Sequence, residues 1–190
     1  MTTKIIGISG SLRTGSYNTS LLDSVRRFMP DDFEFEVASI REIPLYNADE
    51  ESESGVPESV AKVKEQLASA GGLIIATPEY NHSIPGVTKN AIDWLSRPPR
   101  DIPRVFGNLP VALMGATPGR GATLLSQNAW LPILHTLGMR LWSGRSMAVP
   151  AAGEKFGDEG LHDEKTLELL GKFVRGFTAS LLTNPRRSRD

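Results

Sequence analysis

The sequence predicts an α/β fold, a doubly wound three-layer sandwich with a five-stranded parallel sheet between two helical layers. Three observations predict it. Short apolar runs and segments of helical period alternate along the whole chain. The apolar runs lack strict alternation, which implies burial on both faces, the condition of a parallel sheet covered by helices. At 190 residues, 39% of them hydrophobic and 23% charged, the chain suits one globular core. We read residues 1–184 as a single domain and expect 185–190, with its arginines, to be a frayed and solvated tail.

Strands are expected at about 3–9, 33–38, 72–77, 109–115 and 139–148, and helices at about 18–28, 57–70, 85–97, 121–138 and 163–182. The first strand carries Ile5, Ile6 and Ile8 and runs directly into a polar loop. The second helix has Pro57 in its first turn, Val60, Val63, Lys64 and Leu67 at helical spacing, and Gly71-Gly72 as its stop. Asn47–Gly55, with Asp49, Glu50, Glu51 and Glu53, reads as an acidic surface loop. Right-handed crossovers between successive strands bring the loops after the first, third and fourth strands to one edge of the sheet. In such sheets ligands bind at the carboxyl ends of the strands, where the strand order reverses. Residues 10–18, 78–84 and 116–121 are therefore expected to form the site.

Composition removes several classes of function. A net charge of −1 excludes the strong basic excess of a nucleic-acid footprint. The longest apolar runs, such as Leu73–Ala76, fall far short of the roughly twenty residues that span a bilayer. No basic and apolar leader precedes the first strand, so no signal peptide is expected. The absence of cysteine removes disulfides, thiolate nucleophiles and iron–sulfur ligation together. A cytoplasmic protein is expected, with any redox chemistry supplied by a bound cofactor. The three histidines have no metal-ligand spacing, so no metal is assigned. Ser9 and Ser11 lie outside any Gly-x-Ser-x-Gly nucleophile elbow.

The first loop, Gly10-Ser11-Leu12-Arg13-Thr14-Gly15-Ser16-Tyr17-Asn18, is the most informative segment. A strand that feeds a glycine-punctuated polar loop into a helix N-terminus concentrates backbone N–H groups and the helix dipole on one anion. Here the loop adds the hydroxyls of Ser11, Thr14, Ser16 and Thr19, the Arg13 guanidinium and the Asn18 amide. That donor set suits a phosphate monoester and hence a mononucleotide. Neither Gly-x-Gly-x-x-Gly nor Gly-Lys-Ser/Thr occurs, which removes the dinucleotide and P-loop fingerprints. The alternative is that Ser16 or Asn18 simply caps the helix, although six donors exceed what a cap requires.

In the second loop, Pro78 and Pro85 fix Glu79, Tyr80, Asn81, His82 and Ser83 at the mouth of the third strand with little freedom to lose. Such a turn suits the plane and polar edge of a heteroaromatic ring; the alternative is a proline-stiffened surface turn. The glycines of the third loop, Gly115–Gly121, leave room for backbone approach to the same ring. Trp94 and Trp130 are read as core or subunit-contact residues, and His135 and His162 as ordinary helix and surface residues.

Together these segments resemble the NAD(P)H-dependent FMN reductases of the flavodoxin-like proteins, in particular their bacterial quinone and chromate reductase branch. The likeness is carried by Gly10–Asn18 and by Thr77–Gly86 with its continuation Lys89-Asn90-Ala91-Ile92-Asp93-Trp94, and less by Ile43–Tyr46. It implies that Ser11, Arg13, Ser16, Asn18 and Thr19 bind the FMN phosphate. Pro78, Glu79, Tyr80, Asn81 and Ser83 would hold the ring system, with Thr117 as the third-loop contact. It further implies hydride uptake from NADH or NADPH and delivery of two electrons to a small acceptor: a quinone, a flavin, an azo compound or a metal oxyanion such as chromate. No catalytic side chain is assigned. A homodimer or homotetramer is expected, because helices 85–97 and 121–138 start beside the site and carry Ile92, Trp94, Leu95, Leu124, Leu125, Trp130, Leu131 and Leu134. A non-enzymatic electron carrier of the same fold would want a strongly acidic docking face, which the near-neutral charge does not supply.

Overall fold

The computed structural model describes residues 2–186. The strands β1 (Thr3–Ser9), β2 (Phe33–Ala38), β3 (Gly72–Ala76) and β4 (Pro110–Ala116) form the body of one parallel sheet. Two short strands, β5 (Arg140–Leu141) and β6 (Met147–Val149), both pair with β4, so the order is β2-β1-β3-β4-β5/β6. Side chains alternate between two cores. Ile6, Ile8, Leu73, Ile75, Val111 and Leu113 enter one. Ile5, Ile74, Ala76, Ala112 and Met114 enter the other. Burial on both faces is what the non-alternating apolar runs required.

The first core is covered by α3 (Glu58–Ala68), α4 (Gly86–Leu95), α5 (Ile102–Val105) and α7 (Leu131–Thr136), and the second by α1 (Tyr17–Ser24) and α8 (Glu164–Thr183). Two further helices, α2 (Ala48–Ser54) and α6 (Leu124–Ala129), lie on the surface beside these layers. The doubly wound three-layer architecture and its parallel sheet stand as expected from the sequence.

Four local readings need correction. The expected strand 139–148 is broken after Leu141, where the Trp142 ring packs edge-on against Phe173 and tilted against Phe177, with ring centroids 5.3 and 5.7 Å away. The acidic segment 47–55 is largely helix. Asn47 caps α2 by accepting from Asp49 N at 3.0 Å, and Asp49, Glu50 and Glu51 sit in the first turn, where the helix dipole favours negative charge. The expected helix 121–138 starts late and splits. Ala122 and Thr123 have φ of 56° and 61°, and Pro132 has no N–H to continue the ladder. Finally, the first two residues of the expected tail are held. Arg140 donates to Pro185 O, and Arg186 donates to the carbonyls of Leu67 in the last turn of α3, of Ala70 just after it, and of Arg104 and Val105 in α5. Residues 187–190 lie outside the described residues. A small hairpin, β7 (Phe156–Gly157) with β8 (Gly160–Leu161), precedes α8 and has no clear signal in the sequence.

Candidate functional site

The loops after β1, β3 and β4 meet at the carboxyl edge of the sheet and enclose a cleft of about 540 Å³. The volume falls within the ~300–1,000 Å³ usual for small-molecule sites. The first loop lines it with Ser11, Arg13, Ser16, Tyr17 and Asn18, the second with Pro78, Glu79 and Tyr80, and the third with Ala116, Thr117 and Pro118. Eight of the eleven candidate residues therefore come together. Thr19, half buried, and Asn81 and Ser83, exposed in the turn, do not line the cleft.

Close packing of Gly10 positions the first loop. A side chain there would collide with the Pro78 ring and with Thr88 Oγ1, each 2.8 Å from the ideal Cβ position. Gly10 N donates to Ala76 O at 2.8 Å, and Thr88 Oγ1 donates to Gly10 O at 3.3 Å, so the first two loops share one anchor. Ser16 is the N-cap of α1, its Oγ accepting from Thr19 N at 3.4 Å. The Thr19 hydroxyl pairs with Ser9 Oγ at 2.8 Å. Among the described residues, the backbone N–H groups of Thr14, Gly15, Ser16, Tyr17 and Asn18 find no acceptor. A row of free donors leading into a helix N-terminus is the arrangement that holds a phosphate. Arg13 is exposed, with its guanidinium carbon 5.5 Å from the centre of the Tyr17 ring.

Asn18 lines the cleft and also holds two of its loops together. It is buried, its Nδ2 donates to Ala116 O at 2.8 Å, and its Oδ1 accepts from Ala116 N at 2.9 Å. One N–H and the oxygen of the amide thus bond to β4, tying the first loop to the third.

The second loop is a tight hairpin. Tyr80 and Ser83 exchange backbone hydrogen bonds of 3.1 and 3.0 Å, and Asn81 and His82 between them have φ of 50° and 61°. Positive φ at both central residues marks the turn type that suits strand twist, for which Asn is well adapted at the first position. Tyr80 is half exposed at the cleft. Glu79 turns its carboxylate onto the backbone of α6, accepting from Leu125 N and Ser126 N at 3.0 and 3.2 Å. In the third loop Thr117 N donates to Val149 O, and Thr117 Oγ1 accepts from Gly119 N.

The Lys89–Trp94 motif acts at one remove. Asn90 accepts from Tyr46 N at 2.8 Å and donates to Pro44 O at 2.7 Å, and Trp94 Nε1 donates to the same carbonyl. Two motifs far apart in sequence thus brace each other. Tyr17, Ala116 and Pro118 lie in the loops expected to form the site but carried no side-chain signal that singled them out as contacts. Tyr17 lay inside the quoted first loop, and the other two sit where β4 reaches the ligand-bearing edge.

A larger cavity, about 660 Å³, lies at the opposite edge of the sheet. Its charges serve the scaffold: Lys4 pairs with Glu36, Arg104 grips Glu65 with both terminal nitrogens, and Arg186 is spent on carbonyls. Displaced pKa values also belong to the scaffold. Lys4, and then Gln66, hold Glu36 below the ordinary carboxylate range, and Lys64 does the same for Asp101.

Fold and cleft define a flavodoxin-like α/β protein with its ligand site at the carboxyl edge of the sheet. The chain belongs to the NADPH-dependent FMN reductase family, which it matches over residues 3–154. It is 40% identical over 168 residues, 88% of this chain and 89% of the relative, to an NAD(P)H-dependent FMN reductase of Pseudomonas aeruginosa. It is 35% identical to a 2-hydroxy-1,4-benzoquinone reductase of a Burkholderia species, covering 96% of this chain and 91% of that one. Its structure is similar to that of the flavoenzyme NAD(P)H:(acceptor) oxidoreductase of Paracoccus denitrificans, with a TM-score of 0.85 and 29% identity over 96% of this chain and 99% of that one. Membership makes the protein an FMN-dependent reductase that draws its electrons from NAD(P)H. The cleft fits that cofactor, with free N–H donors at one end for the phosphate and the Pro78–Tyr80 wall for a flat ring.

Proposed function

We propose that the protein is a quinone reductase that passes two electrons from NADH or NADPH, by way of FMN in the three-loop cleft, to small diffusible acceptors. The observation that carries the reading is the cleft itself, whose two ends match the two ends of FMN. When bound, the cofactor supplies the hydride and electron chemistry. The chain's own residues bind and orient. The first-loop N–H groups, the hydroxyls of Ser11 and Ser16 and the Arg13 guanidinium take the phosphate, while Thr19 and Asn18 hold that loop in shape. Pro78, Glu79 and Tyr80 wall the ring, supported by the turn through Asn81 and Ser83, and Thr117 stands at the third-loop side. The half-exposed Tyr80 shapes the position where nicotinamide and acceptor take turns.

Quinones are the first acceptors to test, in keeping with the names of the relatives. Flavins, azo compounds and chromate follow from the openness of the site. The proposal includes the cytoplasm, where the pyridine nucleotides are supplied; no helix among the described residues is long and apolar enough to cross a membrane. It also includes a homodimer or homotetramer. Trp94, Trp130, Ile92, Leu95 and Leu134 are buried in the chain's own core and drop out of that argument. Leu124, Leu125 and Leu131 remain half exposed, Leu125 on the helix turn that Glu79 of the second loop holds, and a symmetric partner packed there would close the cleft.

Initial-rate kinetics with NADH and NADPH against a benzoquinone, free FMN and chromate test the reading. A single cleft used in turn by donor and acceptor gives parallel double-reciprocal lines. Intersecting lines, or no quinone reduction by the flavin-loaded enzyme, would contradict it.

A further inference from the structure

Helix α6 begins without a cap of its own. Thr123, at the N-cap position, has φ of 61° and its side chain makes no capping bond. The first-turn N–H groups of Leu125 and Ser126 are satisfied from 46 and 47 residues away, by Glu79 Oε2. That side chain is only 14% exposed, and its other oxygen lies 3.4 Å from His82 Nδ1. The same two segments are joined again by the buried pair Thr77 Oγ1 and Ser126 Oγ at 2.8 Å. Gly115 sits between them, where any side chain would overlap Thr77 O and Thr123 Oγ1. A carboxylate on helix N–H groups is a charge-assisted contact, favoured further by the helix dipole. The turn it supports has two consecutive non-glycine residues at positive φ, and such strain persists only when the surroundings hold it.

We propose that Glu79 is a positioning residue: by capping α6 across the cleft wall, its side chain fixes where the Pro78–Ser83 turn stands against the flavin ring. The inference rests on the flavin reading of the cleft and concerns the ring end, leaving the phosphate end alone. Glu79 thereby acts through Leu125 and Ser126 rather than through a direct bond from its carboxylate to the ligand.

The test compares full-length Glu79→Ala and Glu79→Gln with the natural protein, using FMN and riboflavin as the two probes. Glu79→Ala is expected to weaken both flavins by the same factor, about tenfold. It should change the visible circular dichroism of the bound flavin and speed amide exchange at Leu125 and Ser126. Glu79→Gln keeps one oxygen acceptor for α6 and is expected to restore most of each property. Should Glu79→Ala not fold, Glu79→Asp, one methylene too short to reach α6, takes its place. A loss for FMN alone would put Glu79 at the phosphate and overturn the proposal. So would a lowered melting temperature with both affinities and the flavin spectrum unchanged. If the natural protein bound neither flavin while the amide exchange still responded, the flavin reading would fail and the cap would stand.

Discussion

Asn18 and Ala116 are 98 residues apart in sequence and joined by two hydrogen bonds through one side-chain amide, 2.8 Å from Nδ2 to Ala116 O and 2.9 Å from Ala116 N to Oδ1. Both groups are buried, and the pair locks the start of α1 to the end of β4, so the phosphate end and the third wall of the cleft move as one. Asn18→Ala leaves the N–H and the carbonyl of Ala116 without their partner. Each such buried group costs about 1–3 kcal/mol, and a total loss of about 2–6 kcal/mol is expected in denaturant unfolding. FMN and riboflavin affinities should fall together. Unchanged stability with a loss for FMN alone would make Asn18 a direct phosphate ligand.

Arg13 behaves in the opposite way. It is exposed, and among the described residues its guanidinium makes a single hydrogen bond, to the O of its neighbour Thr14, at 3.2 Å. Arg13→Ala should leave stability unchanged. It removes a charge-assisted contact to phosphate worth about 1.5–3 kcal/mol, so FMN binding should weaken about ten- to a hundredfold. Riboflavin, which lacks the phosphate, should bind as before. Equal losses for both ligands in a titration followed by flavin fluorescence would remove Arg13 from the phosphate site.

Lys64 and Asp101 tie α3 to the turn before α5 through a 2.6 Å ion pair in which the lysine is 4% exposed. The Lys64 hydrogen bond, the largest cause, holds the Asp101 carboxyl below its ordinary value. A depressed carboxyl favours folding above its unfolded pKa of about 4, and that contribution fades as the pH falls toward the lowered folded value. Asp101→Asn removes the negative charge opposite a buried ammonium, leaving it neutral acceptors such as the Arg97 carbonyl. Asp101 keeps about a quarter of its surface in water, so the expected cost at neutral pH is about 2 kcal/mol, below the ~3–5 kcal/mol of a wholly buried pair. Melting temperatures between pH 7 and pH 3 check this. The variant should lose stability at neutral pH and show a shallower acid limb; parallel curves would contradict it.

The strands and the place of the cleft were legible in the sequence because burial on both faces leaves a plain signal. Ile5 to Ile8 and Leu73 to Ala76 have little alternative to a covered sheet. The donors of the first loop were also legible as a set. Their division of labour was not, since nothing local to Asn18 announces that Ala116 will take its amide. Glu79 is similar: its side chain serves a helix whose need for a cap arises from the left-handed Thr123, more than forty residues on. The broken edge strand depends on where Trp142 finds aromatic neighbours on α8, a matter of tertiary packing. The acidic stretch 47–55 misled because charge density suggested a loop, whereas its ordering after Asn47 is that of a helix start.

FMN in the three-loop cleft is the claim on which the rest depends. Denaturing the purified protein, after incubation with a flavin mixture where needed, and identifying the released ligand by mass tests it most directly. The free N–H groups of residues 14–18 and the missing dinucleotide fingerprint predict FMN at about one per chain. Recovery of FAD, or of no flavin even after reconstitution, would contradict the account.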